Sequence, residues 1–594
     1  MPATQRAKRG GGDVRVSAAS ARGVESGPDT EKDPIDHRCL EALIVSINQA
    51  SDTVQWYTDT KELQQASLQL CEACRGAHAV HLRVDRDIPT TLLATAADGR
   101  HEHLDAGVFS RVRRLRVRRV SWELPSVELM SDAVDTFAEV EELFMGDAFD
   151  SSLTVRAWPI GLKNIEFGWQ SRFNVPIVGV AWPASLERLM FGDSFNQPIE
   201  EARWPSSLQR LIFRRKFDRP IEQVIWPESL QELTLGHSFN RGIEKVNWPG
   251  SLREVDLGGS FDQPIEDVTW PTSLQQLFLG LSFNQTIERV EWPNSLQEMT
   301  FGTAFNQPIE GVTWPRSLER LRFGTMFNHP VEGVTWPTSL TWLMFNNWSG
   351  QLIEGVTWPA SLKQLIISSG FDQPIEGVKW PPALQELSIF DDFDQPIEGV
   401  TWPTLLQNFF VGDYFNQPIE GVTWPTSLRG ISFGDAFNHP IERVTWPASL
   451  RRLSFGYSFN QPIERVTWPT SLQRIKFRDE FNQPIEGVTW PTSLEWLVFG
   501  GEFNQPIEGV TWPKALQRVF FYDAFDHPIE RVTWPTSLKQ VTFGGEFNQP
   551  IKGVRWPTSL EKLTFGRKFN QPVEGITWPK SLKQLNFYGR STSP

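Results

Sequence analysis

Cysteine is nearly absent. The 594 residues carry three, Cys39, Cys71 and Cys74, all close to the N-terminus. The rest of the chain needs no disulfide, which favours a reducing compartment, cytoplasmic or nuclear. Histidine is sparse too, with nine scattered residues. Too few accompany the chain's serines for a repeated hydrolytic centre. Cys71-x-x-Cys74, with Cys39 and His37, offers zinc-type ligands. The pair sits inside a helical apolar pattern with no second C-x-x-C, so buried helix cysteines are the simpler reading. His101-Glu102-His103 places its histidines too close together for one helical face. No glycine-rich phosphate loop opens a helix and no G-x-S-x-G elbow occurs. No apolar run is long enough to span a membrane, and the N-terminus lacks the apolar core of a signal peptide. These absences argue against an enzyme. They predict no cofactor, no metal site and no membrane partner.

What the chain has is repetition. Residues 481–502 read FNQPIEGVTWPTSLEWLVFGGE, and this unit recurs every 22 residues. Its opening Phe falls at Phe195, Phe217, Phe239 and onward to Phe569. Looser copies start at Phe149 and Phe173, and the copy around Ser349 has lost its Phe. The 20 units each hold a Trp-Pro pair, from Trp158-Pro159 to Trp578-Pro579. A fixed period in the twenties predicts a solenoid, one coil per unit, whose stacked neighbours bury a continuous core.

Within a coil, Leu494, Leu497 and Phe499 fit L-x-x-L-x-F, so a short strand should turn Leu497 and Phe499 inward. Trp496 and Val498 should face outward. Ile485, Val488 and Trp490 repeat the apolar spacing and predict a second inward side, with or without a second strand. Pro484 and Pro491 belong at corners, because they lack a backbone donor. Gly500 permits the turn after the strand. Asn482 is Asn or Asp in every unit except the one at Gly350, which predicts a structural ladder along one corner.

The unit WPTSL-x-x-L-x-FG-x-x-FNQPI resembles the FNIP repeat, a relative of the leucine-rich repeat, with Trp where that family usually has Leu before the Pro. The resemblance covers roughly residues 140 to 590 and implies a repeat solenoid of leucine-rich-repeat type, mainly β. It implies an interaction module rather than a catalytic one.

The formal charge is −14. Much of it comes from one column: 17 of the 20 units place Glu at the position of Glu486. That stripe is either a solvated edge that blocks lateral pairing or a binder of basic partners or cations. Arg at the next position (Arg289, Arg443, Arg465, Arg531) partly neutralises it. An acidic solenoid is a poor general nucleic-acid binder.

Three segments follow from composition. Residues 1–33 are rich in Gly, Ser, Ala and Arg and predict disorder. Residues 34–106 carry two stretches of helical spacing, Cys39 to Ile47 and Leu63 to Cys74, and then a strand-like alternation at Ala79–Val84. Residues 107–590 form the solenoid, opening degenerately at Val112, Leu115 and Val117 beside the basic cluster Arg111 to Arg119. The helical stretch resembles an F-box at Glu62-Leu63, Ser67, Leu70-Cys71, Cys74 and Arg75. It departs from that pattern in lacking the opening Leu-Pro and in having Cys74 for Trp. The resemblance implies docking to a Skp1-like adaptor; the other reading is a small helical N-terminal cap for the open end of the array. The unit at Asn347–Leu352 lacks both Phe and Pro, which predicts a gap or bend with Trp348 available to fill it. The strand at Asn586-Phe587 should leave an open edge.

Variation between units is concentrated at the outward strand positions. There the side chains change freely while the frame does not, and they include Phe278, Arg322, Trp342, Phe410, Trp496 and Phe520. Either these positions drift, or they bind a protein partner through anchor-type residues. The expected function is a non-catalytic interaction scaffold. The alternative is an F-box-type substrate receptor of a ubiquitin ligase.

Overall fold

The computed structural model describes residues 140–153 and 158–588, together with the backbone of two earlier strands, Val80–Val84 and Val117–Trp122. The proposed tail, the two helical stretches and the F-box-like residues lie outside the described residues.

One parallel sheet runs through the whole described chain. Each strand is three to six residues long and, apart from the first and last described, pairs with the strand before it and the strand after it. The register repeats with the sequence: Ile475 lies beside Leu497, and Leu497 beside Val519. Strand alternation explains the choice of residues, because inward positions recur every second residue. Leu497 and Phe499 are fully buried, as are Leu494 and the next coil's Phe503. The backbone of Val80–Val84 is a strand, parallel to Val117–Trp122. At the latter, the expected strand is displaced: Val120 and Trp122, not Leu115 and Val117, align with the inward Leu143 and Met145 of Glu142–Met145.

The second inward side is present without a second strand. Ile485, Val488 and Trp490 are buried, yet the backbone there is irregular with a turn at 486–487. The reason is local hydrogen bonding. Val488 N–H donates to Ile485 C=O at 3.3 Å, Leu494 N–H to Pro491 C=O at 3.1 Å and Phe503 N–H to Gly500 C=O at 3.4 Å. Three tight turns per coil therefore spend donors that a ladder would need. No helix occurs among the described residues, and none is long and apolar enough to cross a membrane.

Side chains tie coil to coil where strands do not. Asn504 N–H donates to Asn482 Oδ1 at 2.9 Å, and Gln505 Nε2 donates to Asn482 C=O at 3.0 Å. Ser493 Oγ donates to Leu472 C=O at 2.8 Å on another corner. The expected Asn ladder is thus accompanied by Gln and Ser ladders. Aromatic rings stack in columns: Phe481 lies 6.1 Å from Phe459 and from Phe503, and Trp490 lies 6.4 Å from Trp468. The indole N–H groups of Trp182 through Trp556 in the Trp-Pro pairs are buried without a hydrogen-bond partner, whereas Trp158 donates to Ala181 C=O at 2.7 Å.

The gap expected near Ser349 is filled. Trp348 is fully buried, stacks on Phe345 at 4.2 Å and lies 6.2 Å from Phe371, so it occupies the place of the missing Phe. Two of the longest strands, Trp342–Asn347 and Gln364–Ser369, flank it.

Candidate functional site: the variable strand face

The outward strand positions form a continuous surface, because every strand is in register with its neighbours. Strands about 4.8 Å apart crowd their outward side chains, so few of them stand free. Of the six residues singled out above, only Arg322 is exposed; Phe278, Trp342, Phe410, Trp496 and Phe520 are half-buried. Val498, expected outward, is 1 % exposed, flanked in register by Lys476 and Phe520. Ser388 and Thr564 at equivalent positions are buried as well.

The structure brings some of the six together. Trp496 and Phe520, on adjacent strands, make an edge contact at 5.9 Å. Trp342 sits one strand from Arg322, and the Arg320 guanidinium lies 4.6 Å over its ring. Phe278 stands alone between Asp256 and Thr300, and Phe410 between Ser388 and Ser432.

Charge on this face is organised by region, which the aromatic residues did not reveal. Toward the N-terminal side, carboxylates and guanidiniums pair across strands. Arg210 bonds Glu232, Arg214 reaches Glu166 at 3.5 Å and Arg320 lies 3.8 Å from Glu298. Burial pushes the Asp256 carboxyl above its ordinary value, although Gly258 N–H donates to it at 2.9 Å. Burial and then the neighbouring Glu232 raise Glu254 in the same way. Farther along lies a run of Arg and Lys: Arg429, Arg451, Arg452, Arg474, Lys476 and Arg518. Reading the sequence in columns 22 residues apart would have shown this run. The turns beyond the strands carry their own stack, in which burial, then Asp435 and Asp391, push Asp413 upward.

The repeated Ser hydroxyl donates its proton to a carbonyl of the preceding coil, so it is a structural donor. Among the described residues no group of three or more His, Cys, Asp or Glu could hold a metal ion. A cleft of about 580 Å³ at the acidic corner is lined by Val178, Pro198 and Pro220 with the carboxylates Glu200, Glu201 and Glu222. It presents no paired acid and base. The acidic stripe itself folds along the coils: at Gly509 the Glu486 carboxylate occupies the space a side chain would fill.

Stacked short strands, turn-only corners and ladders of Asn, Ser and Phe define a β-solenoid of leucine-rich-repeat type. The FNIP Repeat family matches residues 173–216, 217–260, 261–304, 305–347, 415–458, 459–502, 503–546 and 547–589. These matches span more than half of the sequence, and the chain belongs to that family. The unmatched interval contains the Trp348 coil and its two successors. Among solved structures, the chain is similar to CroV588, described as "a novel circular LRR protein structure". Identity is 32%, the match covers 80% of this chain and 86% of that one, and the TM-score is 0.58. Weaker likenesses are to an internalin (inlF) from Listeria monocytogenes, at 12% identity over 59% of this chain and 89% of that one with TM-score 0.33. Another is to a chain of the Drosophila Toll–Spatzle complex, at 13% identity over 81% and 66% with TM-score 0.42. No curated protein matches the sequence.

Proposed function

We propose that this chain is a non-catalytic interaction scaffold that binds a protein partner through its variable strand face. The observation that carries the reading is the confinement of variation. Ladders and stacked apolar side chains hold the Asn and Ser corners and the inward positions nearly constant, while the outward strand positions and the turn just after each strand mix aromatic, basic, acidic and small side chains. Half-buried aromatics such as Trp342, Trp496 and Phe520 suit this role, since they offer rigid anchor area at a small further desolvation cost. A solenoid free of cysteine fits work in the cytoplasm or nucleus.

Site-specific photocrosslinking in cells tests the proposal. A crosslinking residue placed at Arg322 or Phe410 should give a discrete protein adduct. The same residue at Glu376, on the acidic corner, should give none. An adduct from the corner alone, or no adduct from any strand-face position, would overturn the reading.

A further inference from the structure

The basic run occupies a shaped part of the face. Across the six strands from Asn408–Val411 to Arg518–Phe521, the outward positions are each strand's first and third residues and the residue just before it. They hold six cations, Arg429, Arg451, Arg452, Arg474, Lys476 and Arg518, against one carboxylate, Glu495. All but Lys476 are exposed. Among the described residues none of the six makes an ion pair, whereas Arg210, Arg320 and Lys583 elsewhere on the face each have a carboxylate from the adjacent strand. Arg452 and Arg474 are direct register partners, an unfavourable pairing of like charges. Its one side-chain bond is neutral: Arg452 Nη2 donates to Asn408 Oδ1 at 3.1 Å, passing over Gly430.

Beneath the cations the wall is low. Gly430, Ser432 and Ser454 are the smallest outward residues in succession, and aromatic residues stand at both ends, Phe410 on one side and the Trp496–Phe520 pair on the other. The result is a shallow trough with a small-residue floor, apolar ends and a cationic flank on the side where the strands begin; on the other side stand the turns with Asp413, Asp435 and Asp479, of which Asp435 is paired with Arg478 at 3.1 Å. We propose that this trough binds an acidic, extended segment of a partner protein, lying across the strands with an apolar side chain at each end. The inference rests on the scaffold reading and names the chemistry of its partner. Five strand spacings of about 4.8 Å give roughly 24 Å, which an extended peptide covers in about seven residues. A protein segment fits better than a nucleic acid because the dense run of cations is short: the next strand toward the N-terminus carries Glu386 and no cation, and toward the C-terminus Lys539 and Lys562 alternate with Glu561. Farther toward the N-terminus the same face carries Glu232, Glu254, Asp256 and Glu298, and the corner carries the Glu486 column, so a polyanion continuing in that direction would meet carboxylates on leaving the trough.

The test uses the full chain and a labelled peptide of about seven residues, alternating glutamate and aspartate with a phenylalanine at each end, followed by fluorescence anisotropy. Binding should weaken about tenfold or more when the carboxylates are replaced by amides, and should fall as salt is raised. Arg452→Glu with Arg474→Glu should lower affinity at least about tenfold, and Arg443→Glu with Arg465→Glu on the acidic corner should leave it unchanged. If the first pair lowers the melting temperature, Arg452→Gln with Arg474→Gln is read instead. Equal binding of the amide peptide, unchanged affinity of the trough variants, or displacement of the peptide by an equal concentration of oligothymidylate would overturn the inference. Failure here with a strand-face crosslink intact would remove the acidic partner and leave the scaffold; absence of the crosslink would remove both.

Discussion

Glycines at two positions of the repeat do different work, and substitution separates them. A Cβ on Gly456 would stand 1.8 Å from Gly434 C=O in the coil below, a backbone atom that cannot swing away. A Cβ on Gly509 would stand 2.1 Å from Glu486 Oε1, the far end of a flexible, solvated side chain. Gly456→Ala should therefore cost about 1–3 kcal/mol or more through overpacking. Gly509→Ala should be within about 0.5 kcal/mol of the parent, as an exposed position is. Thermal melts of the two variants decide it. The sequence alone does not separate them, since the Gly509 column accepts Arg289, Arg443, Arg465 and Arg531 and the Gly456 column accepts Arg214, Arg478 and Tyr522. Asp256 gives a second expectation at this scale. Its folded-state carboxyl is raised by burial, so its ionised form is disfavoured in the native state. The penalty is present above the folded-state value and disappears as pH falls below the unfolded one. Asp256→Asn should raise the melting temperature at neutral pH, and the gain should vanish as pH drops through the carboxylate range. A gain that persists in acid would show that charge is not its source.

At the scale of the coil, stability lies in ladders that only neighbouring copies can complete. Asn482 Oδ1 accepts the backbone N–H of Asn504, and its carbonyl accepts Gln505 Nε2. Removing the side chain leaves a backbone donor at a corner where no strand pairs it. Asn482→Ala should cost about 1–3 kcal/mol, the loss expected when such a donor is left unmade. Asn482→Asp should cost less, because Asp262 and Asp394 fill the same role for Asn284 and Asn416. This ladder, the inward Leu and Phe positions and the 22-residue period were all legible in the sequence, since each repeats identically and has one physical use. Other features were hidden for equally physical reasons. Inward apolar spacing at Ile485, Val488 and Trp490 looks the same for a strand and for successive tight turns; only the donors of Val488 and Leu494 tell them apart. Gly500 looked like a turn glycine, but its Cβ would meet Arg478 C=O at 2.1 Å, so close stacking of coils is its reason. The burial of Val498 depends on Lys476 and Phe520, one unit away on either side, and the basic trough exists only when Arg429, Arg452 and Arg474 are read across units.

For the whole molecule, such ladders make the solenoid nearly one-dimensional, each coil stabilised by itself and by two neighbours. A deletion should then be judged by its length and not by how many residues it removes from the core. Excising residues 503–524 takes out one full period. It would set Trp496 beside Gln540, Leu497 beside Val541 and Phe499 beside Phe543, replacing the strand Arg518–Phe521 with one of matching pattern. The Asn ladder would close as well, with Asp526 N–H reaching the Asn482 acceptor in place of Asn504. Excising residues 503–513 removes less apolar surface, yet it lays the turn segment Ile529–Val532 against the strand Trp496–Phe499 and leaves both ladders without partners. The full-period variant should melt in one cooperative transition within a few degrees of the parent, by circular dichroism. The half-period variant should melt far lower or in two steps, because the break isolates the coils on either side. If the two deletions behaved alike, nearest-neighbour register would not be what holds this chain together, and stability would have to be sought in contacts that span many coils.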